Sequence, residues 1–167
     1  MMEQKTTVKH KPNDSILALN TPKKPLKLET TSYDYTVDGV INLIEEGQID
    51  LEILPTQVLW NVEKASVLIE SFLMNFPIPP LYCSENEQGK WSIIDGIQRL
   101  SALFNFYRNT HPLKGLTILS EFENKKFNEL PPQAKRLIHY SIIRIILIKN
   151  NHPDILHNVM MRLKSQK

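Results

Sequence analysis

The chain has 167 residues, of which 41% are hydrophobic and 23% charged, and this suits one domain of ordinary size with a buried core. Its single cysteine, Cys83, excludes an intrachain disulfide and a cysteine-rich metal site. Six of the 20 Lys and Arg residues but only three of the 18 Asp and Glu residues lie in the first 29 positions, so this leader carries +3 and the remainder −1. A nearly neutral remainder gives no electrostatic argument for direct nucleic-acid binding.

The first 29 residues contain Pro12, Pro22 and Pro25 and show little apolar periodicity. We expect residues 1–29 to form a disordered basic leader and residues 30–167 to form the folded domain. No apolar run approaches the roughly 18 residues that a membrane helix needs, and the polar N-terminus lacks the apolar region of a secretory signal. We therefore expect a cytoplasmic protein with no membrane association.

The first half of the domain mixes helical and strand patterns. Apolar residues at helical spacing predict a helix over 37–46, and alternation of apolar and acidic residues predicts a strand over 49–54. The clearest helix is predicted over 62–75. Its inward stripe consists of Val62, Ala65, Ile69, Phe72 and Leu73, while Glu63, Lys64 and Glu70 are expected to face mostly away.

The second half continues this alternation. Short strands over 81–83 and 91–94 predict a hairpin, and a helix over 98–107 follows it. After a loop, the prolines near positions 131 and 153 are suited to the first turn of a helix, and they predict helices over 130–139 and 153–164. Between them, the β-branched run over 142–148 predicts a central strand. Its one charged residue, Arg144, either faces solvent, which we favour, or reaches the candidate site. The pattern indicates a mixed α/β domain without the regular βαβ period of a Rossmann sheet.

The most informative segment is the Asp-Gly turn between the second hairpin strand and its helix. Gly96 has no Cβ, so an anion could approach the backbone there, and Ile97 and Gln98 supply N–H groups at a helix start. The guanidinium of Arg99 can form two parallel hydrogen bonds with a phosphate. Asp95 could hold a phosphate-bound metal, orient a water or cap the helix, and Gln98 could position a water or bond a sugar. On spacing alone, an ordinary capping turn is the more frequent alternative.

Other reactive side chains offer weaker patterns. The five histidines show no metal-ligand spacing, and we expect them to be surface or hydrogen-bonded groups. Cys83 lies on a predicted strand, away from the Asp-Gly turn, which disfavours thiol chemistry at that turn. Trp60 is expected to anchor the core or its rim.

Several motifs in register resemble one known family. The segments are Phe76-Pro77-Ile78-Pro79-Pro80, Lys90-Trp91-Ser92-Ile93-Ile94-Asp95-Gly96-Ile97-Gln98-Arg99-Leu100, Leu68-Ile69-Glu70-Ser71 and Phe127-Asn128-Glu129-Leu130-Pro131. Together they resemble the GmrSD restriction-endonuclease N-terminal domain family, whose hallmark is a "PIPP" segment followed by "DGQQRL". The resemblance covers about residues 32–164.

This resemblance implies a ParB/sulfiredoxin-like fold, a small sheet flanked by helices, and a role in nucleotide-dependent defence against foreign DNA. It implies an NTP as ligand, with Mg²⁺ as a candidate ion, and an HNH-type nuclease partner that acts on DNA. By the motif match, Asp95, Gly96, Gln98, Arg99 and Gln57 belong to the nucleotide site, with Asp95 and Gln98 as the candidate catalytic residues.

Three differences from the family pattern bear on activity. Ile97 stands where the commoner pattern has Gln, no Arg follows Gln57, and the sequence ends before the family's usual continuation, so we expect a truncated copy. These differences favour binding over hydrolysis. The alternatives are an NTPase subunit, a catalytically inactive binding or assembly domain, and a ParB-like DNA-associated domain.

Overall fold

The computed structural model describes residues 28–51, 59–149 and 152–165. Most of the predicted leader, residues 1–27, lies outside this range. Within it, five strands form one sheet: β1 Thr30–Thr36, β2 Ile49–Asp50, β3 Leu81–Glu85, β4 Trp91–Asp95 and β5 Ile142–Ile148. The helices are α1 Val37–Glu45, α2 Val62–Leu73, α3 Ile97–Tyr107, α4 Pro132–Tyr140 and α5 Pro153–Ser165. The predicted mixed α/β class is confirmed.

The strands lie in the order β1-β5-β3-β4-β2. β3 and β4 pair antiparallel as the predicted hairpin, and β1 pairs antiparallel with β5. The β5–β3 and β4–β2 pairs are parallel. β5 therefore has a neighbour on each side, which agrees with its prediction as a central strand, and its Ile143, Ile145, Leu147 and Ile148 are buried.

Each helix begins and ends within two residues of its predicted bounds. The prediction succeeded because the apolar stripe of each helix and the residues at its start indicate the same bounds. The Thr36 hydroxyl accepts a hydrogen bond from the Gly39 N–H (3.1 Å) and caps α1. The Asn61 side chain accepts from the Lys64 N–H (3.0 Å) and caps α2. Four residues of the predicted stripe, Ala65, Ile69, Phe72 and Leu73, join the core, while Val62 at the helix start is half-buried. In the core α2 packs against α3 and α4.

The expected outward orientation of Glu70 is wrong. Its side chain is buried, with 3% of the residue exposed. One carboxylate oxygen accepts hydrogen bonds from the N–H groups of Ile118 and Leu119, both at 2.8 Å. The other accepts from the hydroxyl (3.0 Å) and the N–H (3.3 Å) of Thr117. The loop that follows α3 folds back over this face of α2, and no pattern within α2 itself encodes that contact.

Candidate functional site

The Asp95–Arg99 turn lies where β4 ends and α3 begins. Gly96 joins the two elements with φ 101° and ψ 7°, a left-handed conformation that glycine adopts without steric cost. Because β3 runs antiparallel beside β4, with Tyr82 opposite Asp95, the proline-rich segment before β3 reaches the same corner. The predicted succession of strand, Asp-Gly turn and helix is confirmed.

The start of α3 differs from the starts of α1 and α2. Gly96 occupies the N-cap position and brings no capping side chain, whereas Thr36 and Asn61 cap the other two helices. The first N–H groups of α3 thus lie at the positive end of the helix dipole, and no N-cap side chain accepts hydrogen bonds from them. Such a helix start attracts anions.

The space beside Gly96 is filled by neighbouring side chains. A Cβ at this position would lie 2.4 Å from Leu81 Cδ2 and 3.2 Å from Arg99 Nη2. Glycine is therefore required both by its conformation and by close packing. The side chains of Leu81 and Arg99 fill the space where a Cβ of residue 96 would lie. An anion at this turn would therefore contact the N–H groups of the first turn of α3 instead.

Arg99 and Asp95 form a nearly buried ion pair. Arg99 Nη2 lies 3.0 Å from Asp95 Oδ2, and only 11% and 14% of the two side chains are exposed. Arg99 Nη1 also donates to the carbonyl of Pro79. Burial lowers the pKa of Arg99 and the Asp95 carboxylate acts to raise it, so the guanidinium stays charged. Together these contacts fix the guanidinium at the start of α3.

Gln98 faces a different side of α3. Its Oε1 accepts a hydrogen bond from the Trp60 N–H at 2.8 Å, which ties α3 to the segment that leads into α2. Trp60 is half-buried against the core, and the Lys64 ammonium lies 4.6 Å from its ring centroid. Gln57, the remaining predicted ligand, lies outside the described residues. The structure thus brings Asp95, Gly96 and Arg99 together and directs Gln98 towards Trp60.

The other candidate side chains have structural contacts. Cys83 is completely buried, and burial raises the pKa of its thiol to about 12, so it stays protonated at neutral pH. Arg144 faces solvent as predicted and forms two hydrogen bonds of 2.7 Å with Asp34 on β1. Across the described ranges, no three or more His, Cys, Asp or Glu side chains converge as a metal site.

One polar group near this corner was not predicted. Ser101 is 2% exposed, and its Oγ has no hydrogen-bond partner among the described residues. Together with Gln98 and Asn105 it forms a stripe at spacings of three and four residues along α3, on the side that faces the start of α2. That spacing could have predicted the stripe from the sequence, because polar residues three and four positions apart on a helix are neighbours in space.

A family model described as the GmrSD restriction endonuclease N-terminal domain matches residues 56–166, which is most of the chain. The chain belongs to this family. The matched range of this GmrSD N-terminal domain contains the whole Asp95–Arg99 turn and all elements from α2 to α5, while β1, α1 and β2 precede it. Searches of curated proteins and of solved structures found no match.

Membership of the GmrSD family makes this chain a domain of the kind found in DNA restriction systems. None of the helices in the described part of the chain has the length and apolarity that a membrane span requires.

Proposed function

We propose that this GmrSD N-terminal domain binds a nucleoside triphosphate at the Asp95–Arg99 turn, as the nucleotide-dependent module of a restriction system. The observation that carries the proposal is the start of α3, where Gly96 leaves the helix without a side-chain cap and a guanidinium lies alongside. Backbone N–H groups, the helix dipole and Arg99 all favour negative charge at one place. A phosphate group matches that combination.

The residues of the turn have separable roles in this proposal. The N–H groups of Ile97 and Gln98 bind phosphate oxygens, and Arg99 supplies the compensating charge. Mg²⁺ commonly binds through one or two carboxylates together with phosphate oxygens. Asp95 fits that pattern as a single carboxylate, so we propose that the ion arrives with the nucleotide and neutralises part of its charge. Gln57 is assigned to the site by the family resemblance alone.

Binding without hydrolysis is the second candidate, and a specific contact favours it. Arg99 is already paired with Asp95 and donates to the Pro79 carbonyl, so the fold itself uses both charged groups of the turn. Hydrolysis would require Asp95 and Gln98 to act on a water, whereas Asp95 pairs with Arg99 and Gln98 accepts from Trp60. A binding or assembly domain needs neither group to change partners.

Isothermal titration with ATP, GTP, CTP and UTP in the presence of Mg²⁺ tests nucleotide binding. We expect at least one nucleotide to bind, and Arg99→Ala to weaken it about 10- to 100-fold, the usual value of a charge-assisted hydrogen bond. Arg144→Ala is the matched control because its guanidinium also pairs with an aspartate but lies on the exposed face of β5. Absence of binding to all four nucleotides, or equal binding by Arg99→Ala, contradicts the proposal.

Phosphate release separates hydrolysis from binding alone. An NTPase should release phosphate from the bound nucleotide, and Asp95→Asn should stop the release. A binding module should release none. We propose further that the module controls an HNH-type nuclease partner, through which it acts on DNA. DNA binding by the domain alone that survives removal of residues 1–29 would instead favour the ParB-like alternative.

A further inference from the structure

A small cavity with both polar and apolar lining lies between the first turns of α3 and the start of α2. Its volume is about 50 Å³, and its polar side chains are Gln98, Ser101, Asn105 and His111. Trp60 lines the same cavity beside Gln98. The cavity is thus a recess next to the Asp95–Arg99 turn, and one of its walls carries polar side chains of α3.

The Ser101 hydroxyl is the informative group in this recess. The residue is 2% exposed, and no described residue forms a hydrogen bond with its Oγ. Among the described side chains, the indole Nε1 of Trp91 is the other buried polar atom without a hydrogen-bond partner. Buried hydroxyl groups are paired in most native proteins because an unpaired one loses its hydration without compensation. Ser101 therefore lacks a partner among the described residues, and a bound ligand is one group that can supply it.

The size and position of the recess limit what that partner is. Ser101 follows Ile97 by four residues, which corresponds to about 6 Å along the helix axis. A nucleotide whose phosphates meet the first N–H groups of α3 carries its ribose within reach of this flank. A cavity needs about 10–15 Å³ of water-accessible space to hold one water, so the 50 Å³ recess has room for a hydroxyl group and the carbon that carries it.

We propose that this recess is the subsite for a ribose hydroxyl of the bound nucleotide, with Ser101 and Asn105 as its hydrogen-bond partners. The domain then discriminates against a nucleotide that lacks this hydroxyl. This inference rests on the proposed nucleotide binding and adds to it a rule of selection among nucleotides. A site that hydrogen-bonds a substrate hydroxyl discriminates against an analogue without it, because the buried polar groups of the site are left unpaired.

The test compares the best-binding nucleotide with its 2′-deoxy and 3′-deoxy analogues by isothermal titration on the full chain with Mg²⁺. We expect one of the two analogues to bind about tenfold more weakly, the usual effect of one lost hydrogen bond. Ser101→Ala should abolish most of that difference by weakening only the nucleotides that carry the hydroxyl. This variant should fold, because the hydroxyl that it removes forms no hydrogen bond within the described part of the chain. Ser84→Ala, which removes another buried hydroxyl on β3, should leave the difference unchanged.

The possible failures are distinguishable. Equal binding of all three nucleotides, or a preference that Ser101→Ala does not alter, overturns the ribose subsite and leaves nucleotide binding intact. A thermal shift in Ser101→Ala with an unaltered preference assigns the recess to a structural water and also overturns the inference. If no nucleotide binds and Arg99→Ala behaves as the native chain, the proposed function fails and the subsite fails with it.

Discussion

Two polar regions lie beside α2, and they differ in how completely their groups are paired. In the first, Glu70 accepts four hydrogen bonds from residues 117–119. In the second, α3 begins without a side-chain cap and Ser101 has a buried hydroxyl with no described partner. Polar groups that satisfy one another stabilise a fold, whereas buried groups left incomplete indicate a place for a ligand. This contrast distinguishes structural polar residues from the candidate site.

The paired region is a loop held by three side chains, which we call the carboxylate latch: Ser66, Glu70 and Glu123. Ser66 Oγ accepts from the Lys114 N–H at 2.9 Å. The Glu123 carboxylate accepts from the N–H groups of Gly115 (2.9 Å) and Leu116 (3.0 Å). The backbone N–H groups from 114 to 119 thus meet acceptors without forming a helix or a strand. The latch explains how an irregular segment packs tightly against α2.

The largest effect is expected when the latch is broken at Glu70. Glu70→Gln keeps the shape of the side chain but places an NH₂ group against backbone N–H donors. We expect a loss of about 3–4 kcal/mol in the free energy of unfolding, measured by urea denaturation, because buried donors lose their acceptor. Glu63→Gln makes the same change on the exposed face of α2 and should leave stability unchanged within error. Equal stability of both variants would show that the latch is not structural.

A smaller effect is expected at Gly96 of the Asp95–Arg99 turn, and a comparison with Gly47, which follows α1, separates the cost of conformation from the cost of packing. Gly96→Ala adds a Cβ to a left-handed residue at 2.4 Å from Leu81 Cδ2, and Gly47→Ala adds one at φ 72° with no atom within 4 Å. We expect Gly47→Ala to cost about 1 kcal/mol from conformation alone and Gly96→Ala about 2–3 kcal/mol from conformation and overlap together. Thermal unfolding of the two variants side by side measures the difference. Equal costs would mean that Leu81 moves aside freely.

The sequence predicted the regular elements because their signals are local. The stripe over 62–73 and the β-branched run of β5 need no knowledge of distant residues. β1 escaped prediction although Tyr33 and Tyr35 alternate with polar residues, since its apolar content is low and its partner, β5, lies more than 100 residues later. It becomes a strand through that pairing.

The Asp95–Arg99 turn was predictable as an arrangement, but its contacts were not. Local sequence indicates that Asp95 and Arg99 lie four residues apart at a helix start. It cannot indicate that the Pro79 carbonyl meets the guanidinium, or that the Trp60 N–H holds Gln98, because both contacts join segments that are distant in the chain. Glu70 was misjudged for the same reason. Polar side chains reveal their role only when the fold supplies the facing backbone.

The smallest effect on stability, and the one most specific to the latch, is expected when the pH is lowered. Burial acts to raise the pKa of Glu70, but the hydrogen bonds from Leu119, Ile118 and Thr117 together lower it below its ordinary value of 4.5. A lowered folded-state pKa contributes stability that is fully present above the unfolded-state pKa and is lost as the pH falls through the folded-state pKa. The native chain should therefore lose stability below about pH 4.5.

Glu123 and Asp34 also have lowered pKa values, through hydrogen bonds from Leu116 and from Arg144 respectively, and they contribute in the same direction. The contribution of Glu70 is isolated by measuring thermal midpoints of the native chain and Glu70→Gln between pH 7 and pH 3. Their difference should shrink as the pH falls, because the variant has no Glu70 carboxylate to protonate. It should not vanish, since a protonated carboxyl keeps a carbonyl acceptor that the NH₂ group of Gln does not offer. A constant difference would mean that the latch depends on the shape of Glu70 and not on its charge.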